Sequence, residues 1–151
     1  PDLKYLDSDA AGRYSGASDY PQTAQAAIRE MVRQTGPCAF DGDGLLTRGV
    51  VIRHLILPGQ VSQAKAVMDW VAAEFGPGTV LFSLMSQYTP WGRSAEFPEI
   101  HRRLRAGEMR AAAEYMANLG LEGFTQERTS AQREYTPPFD LTGVAGEGGA
   151  L

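Results

Sequence analysis

The sequence has a single cysteine, Cys38, which excludes an internal disulfide and cannot alone hold a cysteine-rich zinc site or an iron–sulfur cluster. Excess positive charge is lacking as well: 14 Lys and Arg stand against 18 Asp and Glu, a net charge of −4, where a nucleic-acid binder of this size is expected to be basic. Long apolar runs are missing. The densest, Val50-Val51-Ile52 with Leu55-Ile56-Leu57 and then Val80-Leu81-Phe82, are short, and Arg53-His54 interrupts the first; a membrane span needs ~20 apolar residues. The chain starts at Pro1 with no charged and apolar leader, so no signal peptide is read. The expectation is a soluble, cytoplasmic chain, an internal or processed piece of something longer, with neither nucleic acid nor membrane as partner. Lysine is scarce too, with two residues, Lys4 and Lys65, against twelve arginines, which makes the placing of each lysine informative.

What is present is globular. The 151 residues, 43% of them hydrophobic, suit one domain of ~150 residues. Helical spacing recurs three times. In residues 22–35, Ala24, Ala27, Ile28, Met31 and Val32 form a stripe between Pro21 and Gly36. In 62–76 the stripe is Ala64, Val67, Met68, Val71 and Phe75, with Ser62 as expected N-cap. The third uses Met109, Ala112, Ala113, Met116 and Leu119 and stops at Gly120. Between the helices lie dense aliphatic runs, 50–57 and 80–85, which read as strands buried on both faces. Pro1-Asp2-Leu3-Lys4-Tyr5 reads as the end of a further strand, and Phe124-Thr125-Gln126 as a short last one. The alternation predicts βα units and a parallel sheet, with a small hairpin at residues 39–48 where Asp-Gly pairs cluster. Residues 127–151, rich in Pro and Gly, read as an irregular tail.

In such a sheet ligands gather beyond the C-terminal ends of the strands. Asp2 and Lys4 are two apart, so on a strand they share a face; their plain reading is a salt-bridged strand end. Arg53 and His54 interrupt an apolar strand, where an unpaired charge costs several kcal/mol. Arg53 therefore reads as paired with an acid on a neighbouring strand, and His54 as a hydrogen-bonded histidine of the core or of the layer between sheet and helices. Ser86-Gln87-Tyr88 close the third strand. His101-Arg102-Arg103-Leu104-Arg105 reads as a solvated helix face, Lys65 as solvated, and Cys38 as a small buried apolar residue.

The ordered strings Pro1-Asp2-Leu3-Lys4-Tyr5, Tyr14-Ser15-Gly16-Ala17, Asp19-Tyr20, Arg48-Gly49-Val50-Val51-Ile52-Arg53-His54-Leu55-Ile56-Leu57-Pro58-Gly59 and Ser83-Leu84-Met85-Ser86-Gln87-Tyr88-Thr89-Pro90 resemble the C-terminal half of radical S-adenosylmethionine proteins similar to pyruvate formate-lyase activating enzyme. The resemblance covers roughly residues 1–126. It implies a partial (β/α)6 barrel, of which this chain supplies the fourth to sixth βα units. The Cys-x3-Cys-x2-Cys loop that holds the family's 4Fe–4S cluster has no counterpart here, so the chain alone is expected to be inactive. By the resemblance, Asp2, Lys4, Gln87 and Tyr88 approach S-adenosylmethionine, Lys4 at its anionic end. Asp2 faces the barrel mouth and helps hold a monovalent cation, and Arg53 faces a peptide substrate. Gln87-Tyr88 stands where activating enzymes place a cofactor-contacting His.

The resulting expectation is the C-terminal part of a parent that reductively cleaves S-adenosylmethionine to a 5′-deoxyadenosyl radical, for instance to install a glycyl radical on a partner enzyme. The alternative is a non-catalytic α/β binding or docking module. The expected partners are the parent's N-terminal half, a glycyl radical enzyme, and a second copy of the chain pairing along a bare strand edge.

Overall fold

The structure, a computed structural model, describes residues 1–126; the expected tail, residues 127–151, lies outside the described residues. In chain order the elements are α1 (Ser8–Ser15), α2 (Tyr20–Thr35), β1 (Ala39–Phe40), β2 (Leu46–Arg48), β3 (Val50–Leu55), α3 (Val61–Glu74), β4 (Val80–Met85), a 3-10 turn (Gly92–Glu96), α4 (Ala106–Leu119) and β5 (Gly123–Gln126). β3, β4 and β5 form a parallel sheet in that order. Asp2 bridges Arg53, also in parallel, so strand positions follow chain order without the reversal of a doubly wound sheet. The protein is α/β, and among the described residues the sheet does not close. β1 and β2 make the expected antiparallel hairpin. Among the described residues no helix is long and apolar enough to cross a membrane.

Alternation along the strands decides which side the helices cover. Val50 and Ile52 of β3 and Val80, Phe82 and Leu84 of β4 share one core with Leu3, with Ile28 of α2, with Ala64, Val67, Met68 and Val71 of α3, and with Ala112 and Met116 of α4. Full burial of one such side chain contributes about 1.5–3 kcal/mol, so this layer carries most of the stability. The opposite face of β3 holds Val51 and Leu55, half-buried, and Arg53, exposed. Burial on both faces therefore holds for most of β4, the central strand, and fails for β3.

Several local expectations are corrected. The first strand amounts to one bridge, with Arg53 N–H donating to Pro1 O and Leu3 N–H to Arg53 O, both at 2.8 Å. β3 stops at Leu55 because Leu57-Pro58-Gly59 turns the chain toward α3. α3 begins at Val61, so Gln60 holds the N-cap position and Ser62 lies inside the helix. Residues 101–105 are irregular rather than helical: Leu104 is buried, which an all-solvated helix face would not permit. In α2 the stripe is narrower than its spacing suggested, with Ile28 buried but Ala27 and Met31 exposed. Cys38 is half-buried, its Sγ 3.6 Å from Thr79 O. Lys65 lies with Nζ 4.7 Å from the centre of the Tyr115 ring rather than in open solvent.

α1 had no signal in periodicity because its eight residues bury only Ala11. Its ends are nonetheless well specified. Asp7 accepts from Asp9 N–H at 2.8 Å at the start, and Gly16, at φ 69°, takes the left-handed turn that ends the helix.

Candidate functional site

The face of the sheet away from the helices carries the polar groups. Register places Asp2 beside Arg53, Arg53 beside Ser83 and Ser83 beside Phe124, a row across all four strand positions. Within it Arg53 Nε lies 3.4 Å from Asp2 Oδ1, with the two side chains 55% and 40% exposed, and Arg53 Nη2 lies 3.6 Å from Met85 Sδ. An ion pair this exposed contributes only about 0–1 kcal/mol, so both charges remain open to a ligand. Arg53 thus has the acid on a neighbouring strand that its place in an apolar run requires. Lys4 is exposed, two residues beyond Asp2 on the same face by alternation. Among the described residues its ammonium has no carboxylate within ion-pair distance.

His54 belongs to the other face. It is 2% exposed, its ring stacks on Phe82 at 6.4 Å, and its Nδ1 lies 2.7 Å from Leu3 O. A carbonyl only accepts, so Nδ1 carries the hydrogen. Burial lowers its pKa, because a charged imidazole would be desolvated there.

Beyond the C-terminal strand ends stands an aromatic wall that sequence reasoning did not assemble. Tyr5 packs against Tyr14 at 6.4 Å and edge-on against Tyr20 at 5.8 Å, and Tyr14 meets Phe97 edge-on at 5.4 Å. Arg13 lies over the Phe97 ring at 5.1 Å and pairs with Glu99 at 2.8 Å; Tyr14 Oη also donates to Glu99, at 3.0 Å. Tyr88 joins this group: burial raises its pKa, and it hydrogen-bonds Ser94. Ser94 Oγ is in turn 3.1 Å from His101 Nδ1. With Ser94 7% exposed and engaged from both sides, this contact braces the loop after β4 and leaves no accessible nucleophile. Gln87 is half-buried next to Tyr88, so the expected Gln87 and Tyr88 both stand at the end of β4. The wall joins residues 5–20 to residues 88–101, and no local spacing reports a contact over that separation.

Glu108 fastens the loops. Its carboxylate accepts from Gly59 N–H at 2.7 Å and Arg105 N–H at 2.8 Å, and it takes both Nη atoms of Arg102 at 2.8 and 2.7 Å. The Arg102 guanidinium, with the two backbone donors, holds the carboxyl at about 2. One side chain thereby ties the turn after β3 to the start of α4.

Among the described residues no three His, Cys, Asp or Glu side chains gather in a way that could hold an ion. Asp2 already has the Arg53 guanidinium beside it. Cys38 lies at the opposite end of the sheet, its N–H donating to Gly78 O at 3.1 Å just before β4 begins, so the lone thiol does not fit an iron–sulfur cluster at the mouth. Comparison with family models, with curated proteins and with solved structures finds no match.

Proposed function

We propose that the chain is the C-terminal half-barrel of a radical S-adenosylmethionine protein similar to pyruvate formate-lyase activating enzyme, and that it supplies orienting charge around the cofactor while the cluster is held by a preceding half. The observation that carries this reading is the juxtaposition of Asp2 and Arg53, 3.4 Å apart on the face of the sheet opposite the one that shares a core with α2, α3 and α4, in a sheet whose strands follow chain order. In this reading that face is the interior of a (β/α) barrel. Lys4, a step nearer the mouth, and Gln87 and Tyr88 at the end of β4 complete a polar rim suited to a zwitterionic ligand: the carboxylate toward the ammonium of Lys4, polar groups toward the amide and phenol. S-adenosylmethionine supplies the radical chemistry in such proteins, and this half binds and orients it. Cys38, a single thiol, cannot ligate a cluster.

Two observations test the reading. The coding sequence upstream of Pro1 is expected to contain Cys-x3-Cys-x2-Cys in frame; its absence, with a start codon near Pro1, replaces this reading by that of a docking module. In the intact parent, Lys4→Ala is expected to weaken S-adenosylmethionine binding ten- to hundredfold, the equivalent of about 1.5–3 kcal/mol for one charge-assisted hydrogen bond, by calorimetric titration. Lys65→Ala, in the helix layer against Tyr115, serves as the control. Equal affinities in all three proteins would leave Lys4 a strand-end residue.

A further inference from the structure

The outer edge of the first strand position is not bare. On its inner side, Arg53 of β3 donates its N–H to Pro1 O and accepts from Leu3 N–H. This is the pattern of a parallel neighbour, in which one residue takes the carbonyl before and the amide after the residue it faces. One residue further along, the next such pair points outward: Asp2 C=O and Lys4 N–H. The hydroxyl of Tyr20 meets both, donating to Asp2 O at 2.7 Å and accepting from Lys4 N–H at 3.0 Å. A single phenol oxygen thus does on the outside what the peptide groups of Arg53 do on the inside.

The phenol is held for this task. Tyr20 is the first residue of α2, between Asp19 and Pro21, so its backbone is fixed by the helix start. Its ring packs edge-on against Tyr5 at 5.8 Å and 77°, and Tyr5 Oη accepts from Ser15 Oγ at 3.1 Å. Burial raises the pKa of Tyr20, which keeps the hydroxyl proton available as a donor.

We propose that Tyr20 is a plug for the sheet's open edge: it stands in for one residue of a parallel strand, keeps a second copy of the chain from pairing there, and must swing out before any strand can be added.

The test compares the full chain with its Tyr20→Phe variant, which loses one oxygen and keeps the ring. By NMR, the Lys4 amide is expected to exchange about tenfold faster in the variant, with the β4 amides unchanged as the sign that it is folded. In sedimentation the wild type is expected to stay monomeric, while the variant gains mass with concentration. Adding Lys4→Pro to the variant, which deletes the outward donor, is expected to restore the monomer. The wild-type Tyr20 hydroxyl proton should also be visible as a slowly exchanging resonance, a reading that needs no variant. Equal Lys4 exchange in a folded Tyr20→Phe protein, a variant as monomeric as the wild type, a wild type that already associates to the same extent, association that survives Lys4→Pro, or a hydroxyl proton exchanging at the solvent rate each overturns the plug.

Discussion

Replacing Glu108 by Gln keeps the side chain's size and removes its charge. In the fold its two oxygens take four donors, from Gly59, Arg105 and twice from Arg102. Each oxygen takes one backbone N–H and one Nη of Arg102; a Gln amide has one oxygen, so in either orientation its NH2 group faces a backbone N–H and a guanidinium nitrogen, both donors. The loss is one unsatisfied backbone donor together with a weakened ion pair. The Glu108 and Arg102 side chains are 16% and 31% exposed, so solvent screening trims the ionic part, and the expected cost is about 2 kcal/mol at neutral pH. For a chain of this length that lowers Tm by about 4–8 °C. The pH dependence fixes the cause. The carboxyl titrates at about 2 in the fold against 4.5 in the unfolded chain, so the folded state binds fewer protons. Its contribution is complete above pH 4.5 and is lost as the pH falls toward 2. The Gln variant has nothing to titrate there, while every other carboxylate is common to both proteins. The stability gap, measured by urea unfolding and circular dichroism, should therefore be full at pH 7 and less than half as large at pH 3. A gap under about 0.5 kcal/mol at pH 7, or one that does not narrow by pH 3, would refute the clamp.

Phe82→Ala empties the centre of the core, where the ring is fully buried and stacked on His54, and is expected to cost about 3–5 kcal/mol in urea unfolding. Gly123→Ala should detach β5: Gly123 has φ 150° and a Cβ there would collide with the backbone of Phe82, so the Phe82 amide, bonded at 2.9 Å to Glu122 O, should lose its exchange protection. His54 should stay neutral in the fold below its ordinary 6.5, because burial lowers its pKa. The unfolded chain then takes up a proton that the folded one refuses, and stability falls as the pH drops below 6.5; an NMR titration showing a charged His54 imidazole at pH 6 would contradict this.

The parts of the fold that were legible in the sequence are those whose cause is local. The 3.6 spacing of Ala64, Val67, Met68 and Val71 and of Met109, Ala112 and Met116 marks α3 and α4, and the dense aliphatic runs mark β3 and β4. The Asp-Gly pairs mark the hairpin. α1 was not legible because a helix with one buried residue has no stripe to display. Residues 101–105 misled because four basic side chains look alike whether they coat a helix or a bend. Only the pairing of Arg102 with Glu108, and Leu104 turning inward, separates the two. Of the candidate site, Asp2, Lys4 and Arg53 could be read from strand parity. The aromatic wall could not, because Tyr14, Phe97 and Glu99 meet only after two crossovers are folded.

Tyr20 is the residue on which the readings of this chain diverge. If residues 1–5 form the fourth strand of a barrel, the third strand has to bond Asp2 C=O and Lys4 N–H, the same two groups that the Tyr20 hydroxyl holds at 2.7 and 3.0 Å. Neither group can serve a full strand and the phenol together: Lys4 N–H is a single donor, and the third strand's backbone would occupy the space where the Tyr20 ring tip lies. In the half-barrel reading, docking the preceding half therefore breaks both Tyr20 bonds and frees the phenol toward Tyr5 and the mouth. In the docking-module reading the plug stays in place and the edge stays closed. The exchange of the Tyr20 hydroxyl proton consequently reports on more than the edge. It should be slow in the isolated chain under either reading, and in the complete protein slow only if no strand precedes Pro1 in the sheet.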